Sequence, residues 1–296
     1  MLWPGRPQGE HHSRMTEEHD LGALPDDVVH MGRFLEASSD WPESAQFGRA
    51  MALLHFGTFR VDRFPFEETF ENELAAAGAL ARSFTQLRAA WVVTSHGFLA
   101  ETRNLLRSVY ESAGLARVLA KDPKMADQWL RDGKWFPDVR VRQWLSDVRG
   151  DSAHEVDKYK NFYVEASAWA HPTAESCMGQ FIVKEDHFFL NAAIAFDEEA
   201  CQQAVGLLAS TALFACFAFR NAVVDERAID PAWRRDLYDL AREMSDEAMP
   251  HLDRDWAAEQ DHYDAVMANL RDRRYLKGQL RTHPRAYDNL KPQGTE

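Results

Sequence analysis

The stretch from Glu67 to Lys121 constrains this chain most. It is rich in alanine, leucine, glutamate and arginine, all strong helix formers. Leu74, Leu80, Phe84, Leu87 and Trp91 recur at helical spacing, so one apolar face runs along it. Gly97 is its one plausible interruption, which leaves either a single long helix or two joined near His96-Gly97. The run stops at Asp122-Pro123, because a residue before proline is pushed out of the helical region. A chain with such a backbone is expected to be all-α, a multi-helix bundle.

The flanking segments extend that reading. A short helix or two is expected within 16–45. A helix is expected from Glu43 to Thr58, with Phe47, Met51, Leu53 and Leu54 on one side. Shorter helices are expected over Pro123–Asp132, Pro137–Val148 and Glu155–Ala168. A long buried helix is expected from Asp197, a candidate N-cap, to Arg227, and another from Pro231 to Met249. Strand-like runs flank Lys184-Glu185-Asp186, which predicts one small β-hairpin near 180–190. The apolar run Ala204–Phe219 is short for a bilayer span and is interrupted by Gly206, Ser210 and Thr211, so it reads as a buried core helix with no membrane role.

The simplest organisation is a disordered extension over 1–15 and a helical domain over 16–250. A polar, basic helix and tail over 251–296 would follow. No secretory leader is expected, since Met1–Arg14 holds no apolar run. At 296 residues, 45% hydrophobic and 11% aromatic, the chain can bury a large core. Its 34 lysines and arginines against 47 acids give a formal charge of -13. That balance disfavours nucleic acid as the partner of the whole surface, without excluding a local basic patch such as 271–291. Cys177, Cys201 and Cys216 form no CxxC pair and read as reduced thiols of a cytoplasmic protein.

Two polar stripes interrupt this apolar pattern. On the second long helix Arg103, Arg107 and Glu111 lie four apart, so they share a face. An exposed Arg107–Glu111 pair contributes only about 0.2–0.5 kcal/mol. Leu105, Leu106, Val109, Leu115 and Val118 make most of the helix circumference apolar, however, and charges placed there need internal partners. The second stripe is Tyr159, Tyr163, Ser167 and His171. Pro172 takes His171 off the helical face and places it at a helix junction. Together the stripes suggest a polar, semi-buried pocket between two helices. Arg107 would pair with Glu111 and take an anionic or carbonyl group. Arg103, Tyr163 and Ser167 would bind and orient it, and His171 would titrate near neutral pH. If the site is catalytic, His171, Glu111 and Arg107 are the candidates.

Other chemistries find less support. Ser167 and His171 lack a GxSxG elbow and an oxyanion hole. No HExxH, paired ExxH, GxxxxGK[ST] or GxGxxG pattern occurs, so no metal and no cofactor is expected.

The segments "LLRSVYESAGLARVLAKDP" and "YVEASAWAHP" resemble a widespread family of helical domains of unknown function, with an R-x3-E helix followed by Y-x3-S-x3-H-P. The resemblance covers roughly residues 67–225. It implies an all-α fold and a shared pocket lined by Arg107, Glu111, Tyr163, Ser167 and His171. Some such proteins look similar to the HEPN superfamily, which includes ribonucleases with an R-x4–6-H motif that act as dimers. Arg149-Gly-Asp-Ser-Ala-His154 matches that motif. It departs from the pattern in having Gly150 after the arginine and in reading as a loop. The ribonuclease alternative would use Arg149 and His154 and a homodimer. A third alternative is a structural or interaction protein whose polar stripes only fix helix register.

Overall fold

A computed structural model describes residues 26–59, 70–149, 163–164, 167, 181–184, 187–190, 196–223, 229–245 and 255–277 of the chain. The described part is all-α. Its helices are α1 (Asp26–Ser38), α2 (Pro42–Phe59), α3 (Phe70–Ser95), α4 (Leu99–Lys121), α5 (Pro123–Asp132), α6 (Asp138–Arg149), α7 (Glu198–Ala222), α8 (Pro231–Met244) and α9 (Trp256–Lys277).

The helix-former run divides into two helices, and Gly97 makes the division. Its φ of 87° lies in the left-handed region that a side chain disfavours. The Phe98 amide donates to the Val93 carbonyl at 3.1 Å and the Gly97 amide to the Thr94 carbonyl at 2.9 Å, which is the Schellman pattern. The chain reverses there, and α4 returns along α3. This pair shares the most extensive contact in the fold. Small side chains make the close approach possible: Ala75, Ala76, Ala79, Ser83 and Ala90 on α3, and Ala113, Ala116 and Ala120 on α4, are all buried. Near the turn the Thr94 and Thr102 hydroxyls hydrogen-bond to each other across the interface at 2.8 Å.

The next breaks follow local chemistry. Asp122 ends α4 and caps α5, accepting from the Met125 amide at 3.0 Å, with Pro123 in the first turn. Gly133, at φ 61°, closes α5 in the left-handed conformation. Asp197 caps α7 by accepting from the Ala200 amide at 3.0 Å. Asp230 does the same for α8 with Ala232 at 2.9 Å, again with proline in the first turn. Two helices stop earlier than the apolar pattern alone predicts. Helix α7 ends at Ala222, where Val223 turns extended, and α8 ends at Met244, where Ser245 does so.

Helix α7 lies against α2, α3 and α4. It is long and apolar enough to cross a bilayer, but Cys201, Ala204, Val205, Leu208, Ala209, Ala212, Ala215 and Cys216 are buried among the other helices. Packing against α2 is tight at Gly57, where an added Cβ would stand 2.7 Å from the Phe219 ring. The Cys216 thiol donates to the Ala50 carbonyl at 3.2 Å, and the Trp233 indole of α8 donates to the Leu53 carbonyl at 2.9 Å.

A second, smaller core joins α1 to α7 through Phe34, Trp41, Cys201 and Val205. His30 is buried beside it. Its Nδ1 lies 3.0 Å from the Ser95 carbonyl, which can only accept, so Nδ1 carries the proton. Nε2 is then the acceptor for the Cys201 thiol at 3.6 Å. Burial, reinforced by Asp197, pushes that thiol up to about 11, so it stays protonated and donating.

The polar C-terminal helix is not simply solvated. Tyr263 of α9 is buried, and Glu259 forms an ion pair with Arg234 of α8, only 3% exposed. The Arg234 guanidinium also lies 5.9 Å from the Trp256 ring centroid. The sequence-based expectation of disordered ends falls on 1–15 and on the tail beyond α9, outside the described residues, as does Cys177.

One buried charge lacks compensation. Glu73, in the first turns of α3, is 6% exposed, and its Oε2 has no hydrogen-bond partner among the described residues. Burial raises its carboxyl from the ordinary 4.5 to about 7. The folded state therefore binds a proton that the unfolded chain has already lost between these two values. Stability is unpenalised below the unfolded value, falls as pH rises through this window, and stays reduced above it. Glu73→Gln removes the penalty. At about pH 8 the variant is expected to melt roughly 5 °C above the parent, with the gap closing near pH 4. A gap that does not change with pH would show that Glu73 is not buried as the fold places it.

Candidate functional site

The polar face of α4 is set by its apolar one. Leu106, Val109, Ala113 and Ala116 turn into the core, which leaves Arg103, Arg107 and Glu111 half-buried at its margin. The Arg107 Nε donates to Glu111 Oε1 at 3.1 Å. The same guanidinium reaches out of its own helix: Nη2 donates to the Tyr163 hydroxyl at 2.8 Å. That hydroxyl in turn donates to Glu111 Oε1 at 3.2 Å. Three side chains from two segments thus close a hydrogen-bonded ring. Residues 107 and 163 stand 56 positions apart, so the contact is tertiary.

The guanidinium carbon of Arg107 is 4.9 Å from the Tyr163 ring centroid, adding an attraction between cation and π-face. Burial works against the charge on Arg107, but the Tyr163 hydroxyl and the Glu111 carboxylate outweigh it. The guanidinium pKa lies above its ordinary value, and Arg107 is a permanent cation.

Ser167 sits one helical turn beyond Tyr163, as the spacing implies. Its hydroxyl donates back to the Tyr163 carbonyl, four residues earlier. Its proton is spent within its own helix, and Ser167 can meet another group only as an acceptor. Arg103 lies one turn before Arg107 on α4 and is half-buried. Tyr159, His171, Pro172 and His154 lie outside the described residues. Arg149 is the last residue of α6, helical where the sequence suggests a loop; its side chain is also outside the described set.

Sequence reasoning misses two members of this cluster, Asp138 and Arg142. Arg142 of α6 lies with its guanidinium carbon 5.7 Å from the Tyr163 ring centroid. Its Nε donates to Asp138 Oδ2 at 2.6 Å, and the Asp138 side chain is 6% exposed. The Asp138–Arg142 spacing is visible in the sequence, but it is that of countless exposed helical pairs. Only the packing of α6 on α4 makes it part of a site. Two arginine–carboxylate pairs, one on each helix, therefore flank a single tyrosine ring. Among the described residues no group of three or more His, Cys, Asp or Glu side chains is placed to hold a metal ion.

No protein-family model, no curated protein and no solved structure matches this chain. The resemblance through the R-x3-E and Y-x3-S-x3-H-P segments rests on those residues alone.

The ring makes a quantitative prediction. Tyr163→Phe keeps the aromatic face but removes a hydrogen bond given and one received, both with charged partners. It is expected to cost about 1–2 kcal/mol in urea unfolding. Combined with Glu111→Gln in a double-mutant cycle, the two changes should couple by at least about 0.5 kcal/mol. Strict additivity would mean that the ring does not form in solution.

Proposed function

We propose that the Arg107–Glu111–Tyr163 cluster is a binding site for a small anionic or polar ligand, in a helical protein that works in the cytoplasm. One observation carries this reading. A permanent cation and a carboxylate on one helix and a phenol from a second segment converge at the half-buried margin of α4. In this reading Arg107 supplies the positive charge, and Glu111 and Tyr163 fix its orientation. Ser167 offers a lone pair. His171, taken from the sequence pattern, supplies a group that titrates near neutral pH. Arg103 extends the same face toward the start of α4. The hairpin near 180–190 belongs to the same proposal. Antiparallel pairing of Phe181 with Leu190 and of Lys184 with His187 supports it.

Closure of the ring within the protein also favours a second reading, in which it pins the Tyr163 segment to α4 and has no ligand. A thermal-shift screen of small carboxylates, phosphates and nucleotides separates the two. The binding reading expects at least one compound to raise the melting temperature of the parent, and Arg107→Gln to abolish that rise. At a hundred times its dissociation constant such a ligand stabilises by about 2.7 kcal/mol. If no compound shifts the parent, or if Arg107→Gln responds as the parent does, the cluster is a structural pin.

A further inference from the structure

We infer that Arg142, not Arg107, is the residue that grips the ligand, and that the ligand presents an oxyanion, a carboxylate or a phosphate, to it. The inference rests on the binding reading above and divides its labour.

Arg107 and Arg142 flank the same ring and are almost equally accessible, with side-chain exposures of 20% and 19%. They differ in what their nitrogens are doing. Arg107 spends Nε on Glu111 and Nη2 on Tyr163. Its fork is turned inward, so a ligand would have to break protein hydrogen bonds to use it. Arg142 spends only Nε, on Asp138. Among the described residues its Nη1 and Nη2 have no hydrogen-bond partner, and the side chain keeps part of its surface in solvent. That leaves one complete edge of a planar guanidinium, two parallel N–H donors, which matches the two oxygens of a carboxylate or phosphate.

The edge is also pre-organised. Asp138, almost fully buried, holds Nε from one side, and the guanidinium lies near the Tyr163 ring. Little side-chain freedom is left to lose on binding. Arg107 is then a positioning residue. It holds Tyr163, and Tyr163 is the surface beside which Arg142 lies.

Side-chain labelling with phenylglyoxal tests this on the unaltered protein, since the reagent bridges the two terminal nitrogens of an arginine. Because exposures match, labelling rates read commitment of those nitrogens rather than access. Arg142 is expected to label faster than Arg107 by roughly tenfold, a difference of about 1.4 kcal/mol. Inorganic phosphate or acetate, compared at matched ionic strength, should protect Arg142 selectively. Protection by phosphate at the lower concentration assigns a phosphoryl ligand, and the reverse assigns a carboxylate. Arg142→Lys keeps a cation beside Asp138 but loses the fork. It should melt near the parent temperature while losing the stabilisation conferred by the protecting ion. Protection of Arg107 with Arg142 left unprotected would overturn the inference and leave the binding reading standing, as would an Arg142→Lys variant still stabilised by that ion. Protection at neither arginine would overturn both.

Discussion

The close pairing of α3 with α4 is the interaction on which the rest of the fold depends. It needs a left-handed residue at the turn and small side chains down the seam, and the chain supplies Gly97 and a run of alanines with Ser83. Close approach of two helices along such a seam maximises dispersion contacts and leaves few voids. It also decides everything built on α4. With one side fixed against α3 and another covered by α7, Arg103, Arg107 and Glu111 fall at the half-buried margin of the helix. The polar cluster sits where it does because the apolar faces of α4 are already taken.

Several buried polar groups inside this apolar frame are satisfied across element boundaries. Thr94 pairs with Thr102, His30 lies between the Ser95 carbonyl and the Cys201 thiol, and Arg234 pairs with Glu259. Each pair joins two elements, so each works as a tether as well as a satisfied hydrogen bond. His30 shows how specific such a tether is. One carbonyl fixes the tautomer, and the tautomer then fixes which way the thiol hydrogen points. Glu73 is different: its Oε2 has no such partner among the described residues, and burial raises its carboxyl to about 7, so it holds its proton below that pH.

Much of the fold is legible in the sequence because its signals are local. Proline and aspartate mark the starts of α5 and α8, Asp197 marks α7, and Gly97 marks the hairpin turn. Each acts within one helical turn of itself, so no knowledge of the tertiary structure is required. The Arg107–Glu111 pair is legible for the same reason. Tyr163 is legible too, through its place in the second polar stripe, but the α6 part of the cluster is not. Asp138 and Arg142 look like any solvated pair until α6 is laid against α4, and that docking is decided by distant apolar contacts. Ser167 misleads in the other direction. Its spacing from Tyr163 is what a shared ligand face would require, yet that spacing also lets a hydroxyl bond back to its own helix. Glu73 stands among strong helix formers, where a glutamate is unremarkable, and only burial changes its chemistry.

The charge balance of the cluster explains why two arginines share one tyrosine without destabilising the fold. Each cation brings its own carboxylate at helical spacing, so the two pairs together carry no net charge and the guanidinium groups do not repel each other unscreened. Pairing of each of these two cations with its own carboxylate has a consequence for what the site can bind. Attraction of an anion from a distance is weak, the more so in a chain of formal charge -13. Selectivity must then come from geometry at short range, from directional donors already aimed and already desolvated on one side. A free guanidinium edge braced by a buried aspartate meets that requirement, whereas a loose surface lysine does not.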